Sequence, residues 1–189
     1  MAVVCSTPFL ATALAAVVTA AASGAAWSAE KKYGPGVTDA EIKIGNTGPY
    51  SGPASSYSNV PKSMAAYYRM VNDQGGVNGR KINFISVDDG YSPPKTVEQT
   101  RRLVEQDQVL AIVGSLGSPT NASVQRYLND RKVPQLFLFT GAARFRDPQT
   151  YPWTMAGDLS FVNETRAFAR FIMEDRPEAK IGILYQNDD

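Results

Sequence analysis

The chain has 189 residues, 19 Lys and Arg against 18 Asp and Glu, a formal net charge of +1, and no histidine. So even a balance argues against the basic face or stripe of a nucleic-acid binder. The lack of histidine removes the commonest general base, proton shuttle and metal ligand. The single cysteine, Cys5, cannot form an internal disulfide. Metal chemistry and Ser-His or Cys-His catalysis are thus disfavoured before any motif is read.

In chain order, the first thirty residues differ from the rest. Phe9 to Ala26 is a run of small apolar residues without charge, and Ala26-Trp27-Ser28 places small residues at the −3 and −1 positions of a signal-peptidase site. This predicts a secretory signal peptide over residues 1–28 and export to the periplasm. No Lys or Arg precedes Lys31, so the usual positive start is missing, and a membrane anchor is the competing reading. After the linker-like KKYGPGVTD, apolar alternation predicts a strand at Glu41 to Asn46 and a helix at Pro61 to Asp73, with Met64, Tyr67, Tyr68 and Val71 on its core side. KINFISVDD (Lys81 to Asp89) is a strand, and PKTVEQTRRLVEQD (Pro94 to Asp107) a helix opened by proline. VLAIVG is a strand, PTNASVQRYLNDR a helix, and VPQLFLF a strand apolar enough to be covered on both faces. YPWTMA is a short strand, Ser160 to Asp175 a long helix, and AKIGILYQ a last strand.

This β-α-β-α-β-α-β order predicts a parallel sheet with helices on both faces. The last strand has neither neighbour nor covering helix, so the sequence reads as a fragment cut just inside a second α/β unit. Ligands of such sheets sit beyond the carboxyl ends of the strands. The loops to inspect are therefore Thr47 to Asn59, Asp88 to Pro93, Gly114 to Ser118 and Thr140 to Arg146.

IGNTGPYSGP lacks the G-x-G-x-x-G spacing of a dinucleotide site, and Asp88-Asp89 reads as a solvated acidic pair rather than a ribose-binding acid. VGSLGSPTN lacks the G-K-[ST] of a phosphate loop, and neither Ser115 nor Ser118 sits in a nucleophile elbow. A carboxylate suits the loop better: Ser118 reads as a helix N-cap with Pro119 first in the helix, leaving free N–H groups and a hydroxyl for an anion. The plain alternative is that Ser118 only caps its own helix.

Taken together, GNTGPYSGPASSY, GGVNGRKI, DDGYSPPK, VGSLGSPTN and VPQLFLFTGAARFRDP resemble the extracellular solute-binding proteins of the leucine/isoleucine/valine-binding type, which serve ABC importers. The resemblance runs from about Ala40 to the end. It implies an α/β fold whose parallel, Rossmann-like sheet is the first lobe of a two-lobe type I periplasmic-binding (flytrap) fold. Lobe one would span residues 40–155, and residues 156–189 would hold the hinge crossing and the truncated start of lobe two. Trp153 to Gly157 would carry that crossing.

Residue by residue, the resemblance places a carboxylate cradle at Gly117 and Ser118 and a ligand-facing aromatic at Tyr57. The second cradle falls on Gly141, Ala142 and Ala143, where a hydroxyl is usual and absent, and a polar contact of lobe two falls on the apolar Phe161. Phe161 could equally be core of that lobe. Tyr91 reads as a cover for its own loop, with cleft lining as the alternative, and Arg144 and Arg146 as a solvated loop. The implied function is non-enzymatic capture of a small carboxylate, an amino acid or an aromatic or apolar acid, for delivery to the membrane permease of an ABC importer. No cofactor, metal or nucleic acid is expected. A ligand sensor of the same fold and, more remotely, a nucleotide-dependent enzyme are the alternatives.

Overall fold

A computed structural model describes Met1 and residues 32–187. The predicted signal peptide and Cys5 lie outside the described residues. Among the described residues there are five strands: β1 (Glu41–Gly48), β2 (Lys81–Asp88), β3 (Ala111–Val113), β4 (Gln135–Leu138) and β5 (Thr154–Ala156). The helices are α1 (Asn59–Asp73), α2 (Pro93–Glu105), α3 (Ser118–Asp130) and α4 (Phe161–Asp175). The strands form one parallel sheet in the order β2-β1-β3-β4-β5. Ile44 of β1 pairs with Phe84 on one side and Ala111 on the other. The chain thus leaves β1 in one direction, then returns across it to β3. Right-handed crossovers in opposite directions put α1 on one face and α2 and α3 on the other. The strand order reverses between β1 and β3, and the carboxyl ends there open a crevice.

The core lies between the sheet and the α2–α3 pair. Leu103, Val109, Ile112, Val124 and Leu128 form one buried cluster, with Ile85, Val87 and Val97 packed at its margin. The three residues of β3 are all buried, as a central strand requires. Burying a leucine of this kind contributes roughly 1.5–3 kcal/mol. A second cluster, Leu138, Ala142 and Phe145, fastens the loop after β4.

The structure corrects several sequence expectations. The apolar run of β4 is not covered on both faces: Leu138 is fully buried, but Phe137 is 57% exposed. Phe137 also has a positive φ of 54°, and the β4–β5 pairing is irregular there. Tyr67 is exposed, whereas Tyr68 of the same helix reaches Phe84 of β2, their ring centroids 5.1 Å apart, and Met64 packs over Gly114 after β3. The predicted last strand joins no sheet: residues 181–186 belong to no strand, and Ile181, Ile183 and Leu184 are exposed. A parallel strand exists only through a neighbour's backbone hydrogen bonds, and among the described residues no strand forms a ladder with this segment.

Candidate functional site

A cavity of about 840 Å³ opens at the carboxyl ends of the strands. Each strand-to-helix connection contributes a wall. The loop after β1 supplies Pro53, Ala54 and Tyr57, and that after β2 supplies Tyr91. Leu116, Gly117 and Ser118 follow β3, Phe139 and Thr140 follow β4, and Asp158 and Phe161 follow β5. Tyr185 and Gln186 of the carboxyl-terminal segment complete the lining. Five of these side chains are aromatic, so the cavity is mostly apolar with a few polar groups, as small-molecule sites are.

The polar centre lies at the start of α3. Gly117, with φ 101°, is the N-cap, Ser118 is the first helical residue, and Pro119 is the second. This shifts the predicted cap by one residue, and Ser118 makes no capping bond. Its hydroxyl instead lies 2.8 Å from that of Thr140, and both side chains are buried. The first-turn N–H groups of Ser118 and Thr120 have no carbonyl one turn back to bond. Two hydroxyls and the positive end of a helix dipole therefore converge on one wall of the cavity, an arrangement suited to an anion.

The loop before α3 is fixed by buried polar contacts. Ser115 Oγ accepts from the Thr47 N–H at 3.2 Å and the Thr47 hydroxyl at 3.1 Å. Asn121 Nδ2 donates to the carbonyls of Ser115 at 2.9 Å and Gly117 at 2.7 Å. The ladder continues away from the site. Gln135 Nε2 donates to Asn121 Oδ1, the Thr154 hydroxyl donates to Gln135 Oε1, and Asn129 Nδ2 donates to Thr154 Oγ1.

Asp88 ties the first two loops together. Its Oδ1 accepts from the N–H groups of Tyr50, Ser51 and Gly90, and its Oδ2 from the Ser51 hydroxyl at 2.6 Å and Lys95 Nζ at 2.9 Å. Burial alone would raise its pKa, but the hydrogen bonds from Ser51, Lys95 and Gly90 together hold the carboxyl well below the usual carboxylate range. Asp89 is the opposite case. Burial pushes its carboxyl up, and the bonds from the Tyr91 N–H and the Thr96 hydroxyl only partly offset this. The expectation of a solvated acidic pair fails at Asp89, which has no exposed surface.

Of the sequence candidates, Tyr57, Gly117, Ser118 and Phe161 line the cavity. The second-cradle residues do not. Ala142 is core, packed with Leu138 and Phe145. Ala143 begins a short 3-10 turn and points to solvent. Gly141 acts by smallness instead: a Cβ there would lie 2.3 Å from the Leu159 carbonyl oxygen and 2.4 Å from the Phe161 ring. Its carbonyl accepts the Phe161 N–H at 2.9 Å. Arg146 donates to the Asp158 carbonyl and Arg144 lies against the Phe145 ring.

Sequence reasoning did not single out Asp158 or Phe139, named Thr140 only as the start of a loop, and put the cavity-facing position of Tyr91 second to a cover for its own loop. The available signal for Thr140 was its place as the first polar residue after an apolar strand. Among the described residues no group of three or more His, Cys, Asp or Glu is placed to hold a metal ion, and no helix is long and apolar enough to cross a membrane.

Comparison with known proteins follows the same lines. A family model described as "Periplasmic binding protein" matches residues 41–189. A curated Pseudomonas aeruginosa protein, "Amino acid binding protein", is 37% identical over 78 residues, covering 40% of this chain and 20% of the relative. A fatty acid ABC transporter substrate-binding protein from Thermomonospora curvata superposes with a TM-score of 0.68 at 27% identity, over 79% of this chain and 37% of the other. A possible leucine/isoleucine/valine-binding protein from Rhodopirellula baltica gives 0.67 at 25% identity, over 72% and 37%. The chain thus spans well under half the length of these relatives.

Proposed function

Because this chain belongs to the periplasmic binding protein family, we propose that it supplies one wall of a receptor that captures a small carboxylate with an apolar or aromatic body and delivers it to the membrane permease of an ABC importer. Residues 40–155 form the first lobe in this reading, and residues 156–189 the hinge crossing and the start of a second. Export to the periplasm through the signal peptide at residues 1–28 belongs to the same proposal. The role is binding rather than catalysis.

The observation that carries the reading is the Ser118–Thr140 hydroxyl pair at the N-terminus of α3, set in a cavity whose lining is mostly apolar and includes five aromatic side chains. Hydroxyls and orphan helix N–H groups grip a carboxylate without a lysine. The rings of Tyr57, Tyr91, Phe139 and Phe161 then meet the ligand's body. The hydroxyl missing from Gly141 to Ala143 has a substitute one position earlier, in Thr140. The relatives' named ligands, amino acids and a fatty acid, share a carboxylate, which supports the same chemistry. Capture works by differential affinity: a ligand that touches both lobes favours the closed form by the extra contacts made there.

Calorimetric titration with benzoate, octanoate and leucine tests the reading. The expected result is binding of benzoate or octanoate, weakened about tenfold or more by Ser118→Ala, the loss of one charge-assisted hydrogen bond. Tight binding of leucine with no response to either apolar acid would sink it.

A further inference from the structure

We propose that Tyr91 selects for a flat, aromatic body in the cavity, and that the buried Asp89 is the positioning residue that holds it there. The proposal rests on the carboxylate reading above. Tyr91 has a φ of 60°, in the left-handed region where a bulky side chain is rare. Gly90 before it is left-handed too, at 57°, so the chain doubles back sharply after β2. Asp89 secures this turn. Its Oδ1 accepts the Tyr91 N–H at 3.0 Å, its Oδ2 the Thr96 hydroxyl at 2.9 Å, and its carbonyl the Ser92 N–H at 3.0 Å. A fully buried carboxylate thus braces a turn whose backbone is unfavourable for tyrosine, and joins that turn to the start of α2.

Glycine or asparagine would make the same turn with less strain. What tyrosine adds is its ring. The ring lies flush on the backbone of Gly117: a Cβ added there would come within 2.4 Å of Tyr91 Cε2. The phenol donates to Gln186 Oε1 at 3.2 Å. Held by its backbone and packed on Gly117, the ring borders the cavity directly beside Ser118. A carboxylate held at that cradle brings its first carbons against the ring. An aromatic body gains a ring-to-ring interaction there that a saturated body of equal size does not.

Benzoate and cyclohexanecarboxylate share the carboxylate and the carbon count and differ in flatness, so they are the probes. Both are titrated calorimetrically into the full natural chain. Wild type is expected to prefer benzoate by roughly tenfold, and Tyr91→Phe to keep that preference. Tyr91→Gly, which suits the left-handed turn, should bring the two acids within about twofold, chiefly by weakening benzoate. Asp89→Asn retains an oxygen for the Tyr91 N–H and should keep the preference, whereas Asp89→Ala should lose it. Tyr91→Gly carries the test whether or not Asp89→Ala folds. An unchanged preference in Tyr91→Gly, or wild type binding both acids equally, overturns the role of Tyr91 while leaving the carboxylate reading intact. Wild type binding neither acid overturns the carboxylate reading and this assignment with it.

Discussion

Helices α2 and α4 carry comparable amphipathic stripes and meet opposite fates. In α2, Thr96, Thr100 and Leu103 are buried against the sheet and α3. In α4 no residue is buried, and Phe168 and Phe171 stay largely in solvent. The difference teaches that periodicity sets the helix and the direction of its stripe, while burial needs a second surface of matching shape. For α2 that surface is β1, β2 and α3; among the described residues α4 meets the loops of the sheet at its first residue, Phe161, beside Gly141.

The sharpest way to break this contrast is to truncate the core on each side of it. Leu128→Ala should cost about 2–5 kcal/mol through lost burial and a cavity, read from the urea midpoint. Phe171→Ala should stay within about 0.5 kcal/mol, and equal costs would end the contrast. Next in size is the joint between the two regions. Gly141→Ala would drive a Cβ into the Leu159 carbonyl and the Phe161 ring. It should destabilise by about 1–3 kcal/mol and loosen the start of α4, measured by thermal unfolding and by amide exchange at Phe161.

A smaller effect sits on the packed side and depends on pH. The folded-state pKa of Asp88 is depressed, so its contribution is present above the unfolded carboxylate value near pH ~4 and is lost as pH falls below it. Asp88→Asn should therefore flatten the loss of stability between about pH 4 and pH 2, measured by denaturation at a series of pH values. A mutant as acid-sensitive as wild type would rule out this clamp. The smallest effect belongs to α4. Removing the exposed Arg170–Glu174 pair, 2.8 Å apart, by Arg170→Ala should cost under about 0.5 kcal/mol and vanish at high salt.

Legibility in the sequence follows the same division. The alternation of strands and helices was readable because each packed helix has a clear stripe and each connection is short. The place of Gly117 and Ser118 at the cavity wall was legible because a short apolar strand runs straight through that loop into a helix. Thr140 was hidden because its partner Ser118 is 22 residues away, and no local pattern reports a hydroxyl pair across two loops. Tyr91 was misjudged because its orientation depends on two consecutive left-handed residues and on a buried acid, Asp89, that looked solvated. The predicted strand at Ala179 to Gln186 failed because an apolar run states a preference for burial, and hydrogen-bonded neighbours decide whether it becomes a strand.

The polar ladder from Asn121 through Gln135 and Thr154 to Asn129 has a mechanical consequence. Asn129 also accepts the Trp153 N–H at 2.9 Å, so the beginning of β5 is latched to the far end of α3. The near end of the same helix carries the Ser118–Thr140 hydroxyl pair. One helix therefore links that pair to the strand by which the chain leaves the sheet. Under the proposed function, a shift of the chain at β5 and the seating of a carboxylate at Ser118 would act on opposite ends of one element.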